Sequence, residues 1–474
     1  MARKTRRPCK TFGSNVDTLG VRIGEVNVMR TGSVAYSWYV VALVGCLYFM
    51  SWVDRLVLSL LVEPLKADLG IDDLQVSYLF GAAFAVFYSL FGIALARVAD
   101  RGNRKLLIGI GVLIWCLMTI SSGFVESFGM LLVFRIGLAF GEAALSPAAL
   151  SLISDLFPKD KRALPLSVYS VFGQLGGTYG LSAAGLVIGL LERYPPEALP
   201  FISHLKSWQL GLVAVGVPGL ALGLLLMLTL REPERSESGD PETTPAGDTP
   251  LWPYLKAHWW VFTTFLVGLA VPGIVLFAIT GWMPSLLIRD FGWTAAQAGF
   301  GLGTALAISG VAGILVVPHL AQAWTRRGHT AAVPDVAMMC VAVECFALIV
   351  ALRMNDPIAL LTVLGVTMFG IAGSGVLPAV AIHTLAPNRV RAVLISSSFA
   401  ALSLIGMGIG PTLIALLSDT VFVGPGSLGR SMTLAATIVA PIAIGLLALS
   451  RTPYRRLANA QHPVPRADRP ALAH

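Results

Sequence analysis

Residues 129–163 read GMLLVFRIGLAFGEAALSPAALSLISDLFPKDKRA. The run from Gly129 to Ser154 is long and apolar enough for a tilted membrane helix, which takes about 17–25 residues. Two ionisable residues, Arg135 and Glu142, interrupt it, and it ends on Phe157-Pro158-x-x-x-Arg162-Ala163. The same ending returns as Ala386-Pro387-x-x-x-Arg391-Ala392, an offset of 229 from Pro158 to Pro387. At that offset Phe140-Gly141 falls on Phe369-Gly370. A spanning segment, charges within it and an internal repeat therefore occur in one stretch.

The rest of the chain is built the same way. Of its 474 residues 55% are hydrophobic and 13% charged, against roughly 25% charged in soluble domains. That balance excludes a disordered chain and disfavours a soluble enzyme. Hydrophobic runs fall at 35–61, 74–98, 106–125, 129–154, 164–190, 208–230, 259–288, 296–321, 333–352, 357–385, 392–417 and 431–450. All are read as helices, because lipid satisfies no open backbone. The expected fold is an all-α membrane protein with twelve transmembrane helices in two pseudo-symmetric six-helix bundles. A tail at 1–34 leads into the first bundle at 35–230. A Pro-, Glu-, Ser- and Thr-rich linker at 231–258 joins it to the second at 259–450, and 451–474 forms a second tail.

The net charge of +8 does not point to nucleic acid. Arginine and lysine collect in the N-terminal tail, in alternate loops such as Arg97–Lys105 and Lys159–Arg162, and in the C-terminal tail. Twenty-three lie on that side, outside the linker. Six lie on the other: Lys66, Arg193, Lys206, Arg289, Arg353 and Arg430. The positive-inside bias then places both termini in the cytoplasm. No short apolar leader with a cleavage site follows the basic N-terminus. The five cysteines form no C-x-x-C, and the seven histidines have no metal-ligand spacing, so neither a disulfide framework nor a metal enzyme is expected.

Charged residues within spans cost about 2.5–3.5 kcal/mol each at a helix centre. Asp54 and Arg55 interrupt span 1, as Arg135 and Glu142 interrupt span 4. At ~1.5 Å per residue, Asp54 and Arg135 lie at matching depths of about 10 Å, which suggests an ion pair between them. Glu142 follows Arg135 by seven residues, on nearly the same helix face and close to midplane. Desolvation there disfavours a carboxylate charge, so Glu142 is a candidate to bind a proton while an arginine is released to hold an anion. The alternative is a packing clamp between helices. Leu364 and Ile371 stand where the repeat would carry Arg135 and Glu142, which argues that the charges serve chemistry peculiar to the first half. Two such halves suggest rocking around a midplane site. Thr280 and Trp282 of span 7, with Arg55, are weaker candidates for the pocket. The 2–3 loop groups Asp100 with Arg101 and Arg104, and an acid there can face the positive end of a neighbouring helix and hold an inner gate. Span 5 has Gly173, Gly176, Gly177 and Gly180, which allow close helix approach. Glu344 in span 9 has no assigned role.

The Asp100-Arg101-Gly102-Asn103-Arg104-Lys105 loop resembles the 2–3 loop signature of the major facilitator superfamily. Asp54-Arg55, the stretch Leu61–Gly70, Arg135-x-Gly137-x-x-x-Gly141-Glu142-Ala143 and Asp155-Leu156-Phe157-Pro158 resemble its Spinster family. The likeness is dense over residues 50–180 and weak beyond. It implies a secondary carrier of lipids or amphiphiles in a bacterial plasma membrane, working without a cofactor other than the coupling proton and as a monomer. It further implies that Asp54, Arg135 and Glu142 are the coupling and substrate residues, with Asp100, Arg101 and Arg104 at the inner gate. The chain departs from the pattern at Ser51, where the family often has asparagine, at Ala96, where it usually has glycine, and in span 5, which lacks the family's glycine-proline pattern. The leading expectation is a proton-coupled carrier of an anionic amphiphile such as a lysophospholipid or sphingoid phosphate. The alternatives are a symporter of small organic acids and, in another class, a lipid receptor that does not transport.

Overall fold

A computed structural model describes residues 33–193, 205–233 and 251–461. The basic residues of the N-terminal tail, most of the linker and the last part of the C-terminal tail lie outside the described residues. Within them, twelve helices are long and apolar enough to cross a membrane: Val34–Leu60, Asp73–Arg101, Arg104–Ser122, Phe128–Leu156, Ala163–Arg193, Ser207–Thr229, Trp252–Phe291, Ala295–Arg326, Ala332–Ala351, Pro357–Leu385, Val393–Thr420 and Ser427–Ala460. They are numbered spans 1–12. No strand occurs among the described residues.

Local chemistry sets many of the boundaries. Asn103 caps span 3 by accepting from the Leu106 amide at 2.9 Å, and Asp356 caps span 10, with Pro357 in its first turn, by accepting from the Ala359 amide at 2.7 Å. Such caps satisfy amide groups that the first helical turn leaves open. Gly292 stops span 7 at φ 68°, a conformation that costs glycine little. Spans 7, 8 and 12 outrun the hydrophobic pattern, span 8 by ending at Arg326 rather than 321. Span 7 begins at Trp252 rather than 259, and span 12 continues past 450. In the extension of span 12, Tyr454, Leu457 and Ala458 are buried while Arg455 and Arg456 are exposed, and Arg451 pairs with Asp335 at 2.8 Å. An amphipathic extension packs well and dilutes mean hydropathy, so a hydrophobic window ends too early.

The repeat shows in the packing. A Cβ on Gly141 of span 4 would lie 2.5 Å from the Gly111 carbonyl and 2.9 Å from Trp115 Cβ of span 3. One on Gly370 of span 10 would lie 3.1 Å from the Cys340 carbonyl and 2.9 Å from Glu344 Cβ of span 9. All three positions map across the 229-residue offset, so spans 3–4 and 9–10 pack alike.

With twelve spans, both ends of the described chain lie at one end of the molecule, called here the terminal end. The two halves are fastened at the opposite, far end. Arg289 of span 7 donates through Nη1 and Nη2 to both oxygens of Asp73 at 2.8 and 2.7 Å, and through Nε to Glu63 at 2.7 Å. Lys66 also pairs with Asp73. Asp419 of span 11 accepts from the Leu74 amide at 3.0 Å. Among the described residues, these Arg289 contacts are the ion pairs that cross between halves. Beneath them Phe80 of span 2 meets Trp282 edge-on at 5.5 Å, and the missing side chain of Gly281 admits Phe80. Spans 5 and 8 touch through Gly185 and Gly299, again in their far halves. Span 2 breaks at Gly81, which faces Pro411 and a π-helical segment, Leu402–Met407, in span 11.

Candidate functional site

Asp54 and Arg55 are neighbours on span 1, so their side chains leave the helix about 100° apart. Asp54 turns towards span 3, where the Thr119 hydroxyl lies 2.9 and 2.8 Å from its two oxygens. Arg55 turns towards span 4, and its Nε donates to Glu142 Oε2 at 2.6 Å. The ion pair of the site is therefore Arg55–Glu142. The pair expected between Asp54 and Arg135 does not form among the contacts of the described residues. Depth along each helix matched those two residues, but depth says nothing of the direction in which a side chain leaves its helix.

Arg135 is 2% exposed, and its Nε and Nη2 have no hydrogen-bond partner. It lies within electrostatic reach of Asp54 and Glu142. Asp54 and Glu142 are each 2% exposed as well, and the second oxygen of Glu142, Oε1, is unpartnered. The structure thus gathers the buried Asp54, Arg135 and Glu142 with the half-buried Arg55 into one group.

Aromatic rings wall this group. The Arg55 guanidinium lies 5.2 Å from the centroid of Trp52, 4.9 Å from Phe84 and 4.7 Å from Tyr88. These cation–π contacts supplement the ion pair. Tyr48 stacks on Tyr169 at 5.0 Å, and the Tyr169 hydroxyl lies 3.3 Å from Ser146. Gly173 and Gly176 of span 5 make room for Tyr48 and Trp52 respectively. Sequence reasoning missed Tyr48, Phe84, Tyr88 and Thr119. The first three appear in the sequence only as aromatics in apolar runs, which are ordinarily packing residues.

Of the weaker candidates, Arg55 is central to this group, while the two on span 7 make other contacts. Trp282 is fully buried in the far-end closure, where it packs on Phe80 and donates through Nε1 to the Pro411 carbonyl at 2.9 Å. Thr280 is half-buried and donates to the Leu276 carbonyl of its own helix at 3.1 Å. In the 2–3 loop, Asp100 and Arg101 are exposed, whereas Arg104 is buried. It pairs with Asp155 at the end of span 4 and with Glu232 just after span 6 at 2.8 Å, and it donates to the Pro233 carbonyl at 3.2 Å. None of these partners lies in the second bundle, so Arg104 ties the start of span 3 and the end of span 4 to the first residues of the linker after span 6. Glu344 is fully buried, with both carboxyl oxygens unpartnered.

Comparison with known proteins agrees with this architecture. An MFS-type efflux pump of Mycolicibacterium smegmatis is 26% identical over 429 residues, covering 89% of this chain and 94% of the pump. A hexuronate transporter of Bacillus subtilis is 26% identical over 248 residues, and the match spans about half of each protein. Among solved structures, a bacterial homolog of the human lysosomal transporter Spinster, in an inward-facing and unoccupied conformation, superposes with a TM-score of 0.73 at 25% identity, covering 91% of this chain and 98% of that one. Residues 44–411 match the Major Facilitator Superfamily itself. The chain belongs to the Major Facilitator Superfamily, as a multi-pass membrane transporter resembling the Spinster proteins.

Proposed function

We propose that the protein is a proton-coupled secondary transporter of an anionic amphiphile, of the lysophospholipid or sphingoid-phosphate kind. The observation that carries this reading is the buried Arg135, with two unpartnered nitrogens, near a Glu142 already committed to Arg55. A buried guanidinium without a direct partner is costly, and its planar donors suit a phosphate or carboxylate head. Phe84, Tyr88, Trp52 and Tyr48 provide apolar surface for a chain attached to that head. An anion on Arg55 would compete with Glu142, and a proton on a site carboxyl would offset the charge released. Asp54, Arg135 and Glu142 are then the coupling and substrate residues, with Arg55 holding the head. No cofactor is required, and one chain suffices.

The terminal end is cytoplasmic in this reading, by the positive-inside bias, and the protein resides in a bacterial plasma membrane. Fastening at the far end then corresponds to an inward-facing state, the state of the similar Spinster homolog. Separation of the halves on the cytoplasmic side is where Asp100 and Arg101 would act.

The test is flux in proteoliposomes with an imposed pH gradient. The expected result is saturable movement of a lysophospholipid or sphingoid phosphate that accelerates with the gradient. Equal flux with and without it would remove the coupling. The hexuronate transporter among the relatives favours a second reading, symport of small organic acids. That reading predicts saturable uptake of a hexuronate with no competition from lysolipids.

A further inference from the structure

Thr119 is fully buried in span 3. Its hydroxyl oxygen lies 2.9 and 2.8 Å from the two carboxyl oxygens of Asp54, and 3.1 Å from the Trp115 carbonyl one turn earlier in its own helix. A hydroxyl has one proton to donate and two lone pairs to accept with, so it cannot donate to the carboxylate and the carbonyl at once. The geometry serves two states. With Asp54 ionised, the Thr119 O–H points at the carboxylate, and the Trp115 carbonyl retains its helical bond. With Asp54 protonated, the acid O–H donates to the Thr119 oxygen, and the Thr119 O–H turns onto the Trp115 carbonyl, a bond that threonines in helices commonly make. The arriving proton stays on Asp54, and Thr119 keeps its own. In both states the Thr119 hydroxyl and the Asp54 oxygen facing it remain hydrogen-bonded, which avoids the cost of an unpaired buried group.

The other site carboxyl has no such partner. Glu142 Oε2 is held by Arg55, and Oε1 is unpartnered. A proton on Glu142 would weaken its ion pair without an acceptor shown to receive the new O–H. The titratable and charged groups around Asp54 are Arg55 on its own helix, Arg135 and Glu142 on span 4, and Cys116 on span 3. Among the described residues, Thr119 is the hydroxyl bonded to Asp54, and it can switch from donor to acceptor.

We propose that Thr119 is a positioning residue for proton coupling, a two-way hydrogen-bond partner that lets the buried Asp54 carboxyl take up and release a proton. This rests on the proton-coupled reading above.

The test is infrared difference spectroscopy of the full chain in liposomes across a pH titration, comparing wild type with Asp54→Asn, Thr119→Val and Thr119→Ser. Wild type should show a titrating carboxylic-acid C=O band that Asp54→Asn removes. Thr119→Val should move that band to higher wavenumber and displace its titration midpoint, and Thr119→Ser should restore both. Thr119→Ala provides the same comparison if the valine variant does not fold. A band that ignores the loss of the hydroxyl, a serine variant that restores nothing, or the absence of any band sensitive to Asp54→Asn would overturn the proposal. No solute is added, so the result is independent of what is carried. A titrating, Thr119-dependent band together with gradient-independent flux would keep Thr119 as the hydrogen-bond partner of a titrating Asp54 but overturn its part in coupling, along with the coupled-transport reading.

Discussion

Arg55 and Glu142 neutralise one another inside a membrane-spanning bundle, and that mutual dependence can be measured. Removing one partner of a buried pair costs about 3–5 kcal/mol, because the survivor stays buried without compensation, whereas replacing both by apolar groups is often neutral. Glu142→Gln is expected to lower the melting temperature clearly, and Arg55→Met combined with Glu142→Leu to recover most of the loss. Neither variant should transport. Flux in the double variant would make the pair a helix clamp only. At this scale the sequence exposes some things and hides others. Asp54, Arg135 and Glu142 stand out because a charge in a hydrophobic run needs a reason. The choice of partner is hidden, since two adjacent residues on a helix point about 100° apart and no depth argument tells which one faces span 4. Thr119 is hidden for a different reason. Hydroxyls in membrane helices usually bond to their own backbone, so nothing in the string of letters separates this one from Thr264 or Thr304, which do just that.

Glycines govern how closely the helices pack, and the repeat gives a matched pair on which to test this. A methyl group at Gly141 would press on the Gly111 carbonyl at 2.5 Å, while one at Gly370 would meet the Glu344 Cβ at 2.9 Å and the Cys340 carbonyl at 3.1 Å. Overpacking costs typically ~1–3 kcal/mol. Both Gly141→Ala and Gly370→Ala should lower thermal stability, the first by more, because its nearest obstacle is backbone of a helix that cannot rotate away. Equal melting temperatures for the two variants would show that span 3 yields as readily as span 9. The spans themselves were readable from hydropathy, since lipid demands long uninterrupted apolar helices. The exceptions have structural causes. Span 12 runs on beyond the apolar window because one face of its extension packs through Tyr454 and Leu457. The break at Gly81 and the π-helical turn opposite it in span 11 depend on how spans 2 and 11 meet across the halves, a relation that no single segment encodes.

Closure of the whole molecule at the far end rests on an ionic layer over an aromatic one. Arg289 is the cation that joins the halves, through Asp73 and Glu63, and Phe80 with Trp282 lies beneath. Arg289→Ala should shift the population towards a far-end-open state. Labelling of a Ser77→Cys variant, introduced at a position that is fully buried here, by a membrane-impermeant thiol reagent should rise about tenfold, equivalent to ~1.4 kcal/mol. The exchange Arg289→Asp with Asp73→Arg should reverse part of that rise. Unchanged labelling in Arg289→Ala would assign closure to the aromatic layer alone. In the sequence Arg289 counted only as one of six basic residues on its side, because cross-half contacts become visible only once the bundles are docked. The latch also has an electrical consequence. Glu63, Lys66, Asp73 and Arg289 sum to zero, with Asp419 beside them as a further acid, and Asp54, Arg55, Arg135 and Glu142 sum to zero when all are ionised. A membrane voltage does work of about 2.3 kcal/mol per elementary charge moved through 100 mV, but groups parting at the rim cross little of that drop. In the proton-coupled reading, one proton would give the buried quartet a single positive charge that a monovalent anion would cancel, so a one-to-one turnover is expected to be electroneutral, with a rate that a clamped potential leaves unchanged.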